Sequence, residues 1–286
     1  MTIAEYRPST DHDFTLYHGD VIGTLTKIRQ HKFDMIFADP PYFLSNGGIS
    51  VQAGKMVSVN KGEWDKSQGR SADRLFTFNW LKACREVMTE SATIWVCGTF
   101  HNIFTVADVL SELNFKMLNA VTWQKTNPPP NLSCRYFTHS TELLVWARKE
   151  KRIPHYYNYN LMHKISGDRQ MTDVWRMPAI APWEKTCGKH PTQKPLALVV
   201  RAILACTKDY DRILDPFAGS GTTGIAARLT NRSFTGIDIE AKYLSVAAQR
   251  HELLPKLRRV WASKIPDLKY YPNSPTFKQI SPKEPL

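Results

Sequence analysis

Phe33-Asp34-Met35-Ile36-Phe37-Ala38-Asp39-Pro40-Pro41-Tyr42 is a short apolar run that ends in an acid, two prolines and an aromatic ring. The apolar part has the length and composition of a buried strand. Pro40 and Pro41 lack backbone N–H groups and fix φ, so the strand leads into a stiff turn. Each residue before a proline is also pushed towards an extended conformation. The rigid edge so formed carries a carboxylate, outward carbonyls and a flat ring, a set that suits a planar amine. Asp39 and the Pro40 carbonyl can each accept one N–H, and Tyr42 can stack on the ring bearing that amine. The same four residues equally suit a plain Pro-Pro turn with a solvated acid and a packed tyrosine, so a second constellation is needed.

Working outward, residues 14–18 read as a strand, and Gly19-Asp20 turns the chain into a helix ending near residue 29. Residues 43–71 are rich in Gly, Ser, Asn and Lys. A loop of that length inside a compact domain is usually functional or disordered. Lys55, Lys61, Lys66 and Arg70 make it an expected mobile flap over a polyanion. Helices over 73–89 and 102–113 then alternate with strands over 92–97, 115–123 and 141–147. After residue 190 the spacing predicts helix 195–206, strand 212–214, helix 222–229, strand 233–237 and helix 241–254. This alternation predicts an α/β fold, a doubly wound, mostly parallel sheet covered on both faces.

Two stretches break the pattern. Residues 149–189 are polar, basic and aromatic, and read as a small module or a large insertion with Trp175 and Trp183 in its core. Residues 255–286 are proline-rich and hold seven Lys/Arg against two acids, as expected of a disordered basic tail or of an arm lying along the domain.

The second constellation is Leu214-Asp215-Pro216-Phe217-Ala218-Gly219-Ser220-Gly221-Thr222-Thr223-Gly224, between a strand and a helix. Gly219 and Gly221 permit positive φ and a close backbone approach to a ligand. Asp215 ends the strand, where ligands of open α/β sheets bind. Asp238 ends the next strand, and an acid there can hold a ribose diol. The loop has neither the G-x-G-x-x-G pattern nor a lysine, so a nucleoside cofactor without a pyrophosphate fits better than a phosphate cradle.

The formal charge of +12 favours a polyanionic partner, nucleic acid before an anionic membrane surface. No apolar run approaches a membrane span and no signal-peptide pattern opens the sequence, so a cytosolic protein without a membrane partner is expected. Cys84, Cys97, Cys134, Cys187 and Cys206 lack C-x-x-C spacing, which argues against a zinc site or a disulfide framework. His155, His163 and His190 show no ligand spacing, and no metal is expected.

Together the two constellations resemble the β group of S-adenosylmethionine-dependent DNA amino-methyltransferases, in which the catalytic tetrapeptide precedes the cofactor loop. The resemblance implies a Rossmann-like fold with a circularly permuted motif order. More narrowly, Phe43-Leu44-Ser45-Asn46-Gly47-Gly48 and residues 131–142 resemble the DpnA-type adenine methyltransferases of GATC restriction systems. The implied catalytic residues are Asp39, Pro40, Pro41 and Tyr42. The implied cofactor is S-adenosylmethionine. Asp20 would lie near its adenine, Thr192, Gln193 and Lys194 near its methionine end, and Asp238 at its ribose. Asp215, Phe217, Ala218, Gly219, Gly221, Thr222 and Thr223 would form its loop.

Implied DNA contacts are Asn46, Lys125, Asn131 and Arg135, although Arg135 equally suits a structural ion pair. The implied organisation is a catalytic half over 1–148 with a mobile loop at 43–72, target recognition over 149–189, a cofactor half over 190–254 and a tail over 255–286. The implied reaction is methylation of adenine N6 in GATC, on duplex and single-stranded DNA, in a bacterial cytosol. A cognate restriction endonuclease would be a functional partner; a monomer and a homodimer both remain open. No Pro-Cys pair supplies a thiolate for attack on cytosine C5. Cytosine-N4 methylation, RNA methylation and a non-catalytic nucleic-acid-binding role stay as alternatives.

Overall fold

The computed structural model describes residues 4–7, 13–44, 49–52, 55–58, 65–131, 133–188 and 192–275. In chain order its elements are β1 (Ala4–Tyr6), β2 (Phe14–His18), α1 (Val21–Lys27), β3 (Phe33–Ala38), β4 (Ile49–Gln52), β5 (Lys55–Ser58), α2 (Arg70–Glu86), β6 (Met88–Gly98) and α3 (Ile103–Glu112). There follow β7 (Lys116–Lys125), β8 (Thr141–Arg148), α4 (Tyr159–Ile165), β9 (Val174–Met177), α5 (Leu196–Cys206), β10 (Arg212–Asp215), α6 (Thr222–Leu229), β11 (Ser233–Asp238) and α7 (Ala241–Ser263).

One sheet takes the order β1-β2-β11-β10-β3-β6-β8-β7-β9. From β2 to β6 all neighbours are parallel. β8 runs antiparallel to β6 and β7, and β9 runs parallel to β7. Along each central strand, residues alternate between two cores, as the period of two requires. Phe14, Leu16, Met35, Phe37, Trp95 and Cys97 join the core that includes α5, α6 and α7. Tyr17, Ile36, Ala38, Ile94 and Val96 join the core that includes α1, α2 and α3. Burial on both faces is why the central strands read as near-continuous apolar runs. The expected doubly wound α/β fold is therefore present.

Parallel register aligns the C-terminal ends of β2, β11, β10, β3 and β6 along one edge, with Leu214 opposite Ile36 and Ala38 opposite Val96. That edge collects Gly19-Asp20, Asp238, the glycine loop and Asp39 to Tyr42.

Three expectations are corrected. The 149–189 stretch is not a separate module: β9 is the sheet's edge strand, and Leu161, Met162, Trp175 and Met177 enter the main core. Of its aromatics Trp175 is buried, whereas Tyr156, Tyr157 and Tyr159 are exposed. The boundary expected at residue 254 falls inside α7, which continues through Pro255 to Ser263. Trp261, Ile265, Leu268 and Tyr271 are buried in the main core, and Arg201 grips Asp267 through Nε at 2.7 Å and Nη2 at 2.9 Å. Proline forfeits one helical hydrogen bond, and this buried apolar surface offsets it. Finally, the expected loop over 43–71 contains the antiparallel pair β4 and β5 and the start of α2. Residues 276–286 and most of 45–64 lie outside the described residues, as do Asn46, Lys61, His190 and any mobility of the flap.

Candidate active site

β3 delivers Asp39 to the sheet edge, and two buried side chains converge on it. Tyr42 Oη donates to Asp39 Oδ1 at 2.7 Å. Lys194 Nζ donates to Oδ1 at 2.7 Å and to Oδ2 at 2.6 Å. The same ammonium lies 5.2 Å from the Tyr42 ring centroid, a cation–π distance. Burial opposes the charge on Lys194, but Asp39 and Glu142 outweigh it and hold the ammonium above the ordinary lysine range. Glu142, at the start of β8, lies 3.6 Å from Lys194 Nζ and accepts from Lys125 Nζ at 2.6 Å. Burial would raise the Glu142 carboxyl, but Lys194 and Lys125 bring it below the usual carboxylate range. Asp39, Lys194, Glu142 and Lys125 thus form a chain of alternating charge that begins at the expected catalytic acid.

A fully buried acid, Asp65, braces the turn from behind. Its Oδ1 accepts the N–H groups of Tyr42 at 2.8 Å and Phe43 at 2.9 Å, and its Oδ2 that of Leu44 at 3.3 Å. Phe43 adopts φ 59°, a left-handed conformation that costs a non-glycine residue about 1–2 kcal/mol. Three hydrogen bonds to one carboxylate offset that strain.

The glycine loop is held from three sides. Asp215 accepts from Phe217 N at 3.0 Å and from Thr223 Oγ1 at 2.5 Å. Burial pushes the Asp215 carboxyl up to about 7. Asp238 Oδ2 accepts from Gly219 N at 2.7 Å, and Oδ1 from Glu240 N at 2.8 Å. Burial raises the Asp238 carboxyl as well. The guanidinium of buried Arg250 donates to Ser220 O at 2.7 Å and Thr222 Oγ1 at 3.0 Å. Gly221 sits at φ 74°, and a Cβ there would come within 2.7 Å of Ala247 Cβ, so both conformation and space demand glycine.

A cavity of about 380 Å³ lies between the Asp39 turn and Pro216-Phe217 at the start of the glycine loop. Its lining includes Asp20, Val21, Asp39, Phe217, Asp238, Glu240 and Tyr243. Acids at the ends of β2 and β11 suit hydroxyl and amine donors, and the apolar and aromatic walls suit a flat base. Phe217 is set by an edge-on contact with Trp80 at 5.2 Å. The residues present therefore fit a nucleoside cofactor. Asp20 also caps α1, accepting from Gly23 N at 2.7 Å.

Several of the expected site residues have partners within the chain. Thr192 lines the cavity, but Gln193 donates to Glu184 O at 3.1 Å, and Lys194 holds Asp39. Asp215, Thr222 and Thr223 fasten the loop from within. Lys125 pairs with Glu142 rather than facing outward to a phosphate. Asn131 closes its own loop by donating to Tyr136 O at 2.6 Å. Arg135 is exposed and makes no ion pair among the described residues. Beside it, Phe100, His139 and Tyr136 form a ring ladder with centroids 5.6 and 5.4 Å apart. Phe100 follows β6 and His139 precedes β8, so the ladder continues the edge that carries Asp39.

Asp65, Glu142, Arg250 and the pairing of Lys194 are not apparent from the sequence. Asp65 sits in the polar stretch that reads as a flap, and Arg250 in a helix whose register alone does not mark it as buried.

The N6_N4_Mtase model, described as DNA methylase, matches residues 33–249. The type II methyltransferase M2.MboI of Moraxella bovis is 51% identical over 266 residues, 93% of this chain and 97% of that protein. M2.DpnII of Streptococcus pneumoniae is 52% identical over 238 residues, 83% and 89% of the two chains. The solved complex of M1.HpyAVI with SAM superposes with a TM-score of 0.65 at 28% identity, covering 84% of this chain and all (100%) of that one. The cytosine-N4-specific PvuII DNA methyltransferase shares the fold, with a TM-score of 0.64 at 15% identity, covering 87% of this chain and 92% of that one.

Proposed function

The chain belongs to the N6/N4 DNA methylase family, and from that premise we propose that it methylates adenine N6 in GATC, as the modification arm of a restriction system. It is a DNA methyltransferase, and its cofactor is S-adenosylmethionine. When bound, that cofactor supplies an electrophilic methyl group on a sulfonium.

The observation that carries the reading is the placing of Asp39 and Tyr42 on the wall of the cavity that Asp238, Glu240 and Phe217 also line. Adenine N6 is a poor nucleophile because its lone pair is delocalised into the ring. Hydrogen bonds from its two N–H groups to Asp39 and the Pro40 carbonyl favour a pyramidal nitrogen with a directed lone pair. The contribution of the protein is thus positioning and electrostatic stabilisation of the positive charge that develops on that nitrogen. Asp39 need not be a strong base, since the methylated ammonium is itself acidic. Asp238 and Glu240 would accept from the ribose hydroxyls, Asp20 would lie near the adenine, and the Phe217 to Gly221 backbone would follow the cofactor.

The base must leave the duplex to reach Asp39. Phe100, His139 and Tyr136 with Arg135 offer stacking faces and a cation for the strand on either side, which supports single strands as well as duplexes as substrates. Transfer of tritiated methyl to DNA, followed by nucleoside analysis and digestion with nucleases that cut GATC, tests the proposal. The expected product is N6-methyladenine in GATC. N4-methylcytosine, or methylation confined to another tetranucleotide, overturns the target assignment.

A further inference from the structure

We propose that Lys194 is a placeholder for the target amine: before the base arrives its ammonium engages the Asp39 carboxylate that the amine needs, and the arriving base shifts it towards Glu142. The inference rests on the reading of Asp39 as the group that receives the target amine. Lys194 Nζ donates to both oxygens of that carboxylate and lies over the Tyr42 ring. These are two of the groups the base requires, one for an N–H bond and one for its ring. An ammonium is also the closest side-chain counterpart of an amine that donates two hydrogen bonds. The Asp39 carboxylate is therefore already engaged by a group of matching chemistry.

A destination for the displaced ammonium already exists. Glu142 Oε2 is buried, makes no hydrogen bond and lies 3.6 Å from Lys194 Nζ. Its other oxygen is engaged by Lys125. A movement of about 1 Å brings Nζ within hydrogen-bond distance of Oε2. An unpaired buried charge would make release from Asp39 costly. With Glu142 in place the ammonium stays paired throughout, so the exchange is finely balanced. Glu142 is fixed by the sheet, opposite Trp123 of β7.

The exchange has an electrostatic consequence. While Lys194 sits on Asp39, the two charges cancel at the reaction centre. Once it has moved towards Glu142, the carboxylate faces the target nitrogen with its charge less compensated, where positive charge develops during methyl transfer. Full stabilisation is then available only when a base has displaced the lysine. Lys194 and Glu142 act as positioning residues, working through Asp39.

Reactivity of the thymine opposite the target adenine towards permanganate reads how fully the natural base is flipped. It is measured on a GATC duplex with S-adenosylhomocysteine and the full-length protein. Lys194→Met removes the competitor, so flipping should rise roughly fivefold at unchanged overall DNA affinity. Glu142→Gln removes the charged destination, so flipping should fall by a similar factor. A lysine that merely propped up Asp39 would make flipping fall in Lys194→Met, and that fall, or an unchanged signal in both variants, overturns the proposal. If Lys194→Met does not fold, Glu142→Gln decides alone: undiminished flipping in that variant rejects the exchange. Absence of methyl transfer by the wild-type protein would instead reject the functional reading itself.

Discussion

Asp238 Oδ2 accepts the backbone N–H of Gly219 at 2.7 Å, so the acid expected to hold a ribose is also the pin of the glycine loop. Its other oxygen anchors Glu240. Asp238→Ala should therefore do two things. It should weaken cofactor binding by roughly 1–3 kcal/mol, the scale of a lost hydrogen bond to a charged group. It should also lower the melting temperature without cofactor, because two backbone N–H groups lose their acceptor. Asp39→Ala should instead abolish transfer while leaving cofactor affinity within a few-fold of normal, as expected for an interaction made with the target amine. Calorimetric titration paired with single-turnover methylation separates the two. Equal loss of cofactor binding in both variants would contradict the assignment.

The glycine loop makes a second test possible through Arg250, a residue remote in sequence. Arg250→Met keeps much of the volume but leaves Ser220 O and Thr222 Oγ1 without their charged donor. The expected loss is about 2–3 kcal/mol of stability, from hydrogen bonds to a charged group. Cofactor affinity should fall with it, since the loop loses its brace. Denaturant unfolding with and without cofactor measures both. Unchanged stability would show that the loop holds its own shape.

These residues also mark where the sequence stops being readable. The alternation of apolar strands and helices was enough for the doubly wound sheet, because burial on both faces leaves near-continuous apolar runs such as Met35 to Ala38. The two halves of the site were legible because each is a contiguous stretch at a strand end. The bond between Lys194 and Asp39 was not, since it joins positions 155 residues apart. Burial of Lys125, Glu142 and Arg250 was hidden for a similar reason. A charged side chain reads as solvated until its partner is known. The 255–275 stretch suited either a basic tail or an arm along the domain by composition, and Trp261, Leu268 and Tyr271 carry its packing against the core.

Asp215 sets a pH dependence. Its carboxyl is raised by burial from an ordinary value of 3.8 to about 7 in the folded protein. The folded state therefore holds a proton that the unfolded chain releases more readily. The stability this contributes is fully present below about pH 4, and is lost as pH rises through about 7. Asp215→Asn cannot ionise, and its amide oxygen can still accept from Phe217 N. Between pH 5 and 8 the wild-type protein should lose more melting temperature than this variant. Parallel slopes for the two proteins would show that Asp215 does not set the dependence.

The ring ladder predicts a preference between substrates. Phe100 and Tyr136 are 55% and 61% exposed, high for aromatic rings beside a candidate active site. Phe100→Ala and Tyr136→Ala should each weaken binding of single-stranded DNA by about 1–3 kcal/mol, the scale of one stacked base. Duplex binding should weaken less, because paired bases are already stacked. Fluorescence anisotropy with matched single strands and duplexes gives both numbers. Equal losses on the two forms would make the ladder a general binding surface rather than a stacking platform.

The C-terminal stretch gives the last prediction, and the structure changes where the cut must be made. Truncation after Leu254 would remove Trp261, Ile265, Leu268 and Tyr271 from the main core, together with the Asp267 partner of Arg201. Four buried side chains of this kind contribute on the order of 6–12 kcal/mol. That is comparable to the whole stability of an ordinary domain, about 5–15 kcal/mol. This fragment should not fold, and its failure to bind DNA would say nothing about phosphate binding. A cut after Pro275 spares every one of these groups and removes Lys278 and Lys283. The shortened protein should melt within a few degrees of the full chain. If both lysines neutralise phosphates, the slope of log K against log salt should fall by about 2, near one for each phosphate left unneutralised. An unchanged slope in that folded protein would place the DNA-binding charge elsewhere on the surface.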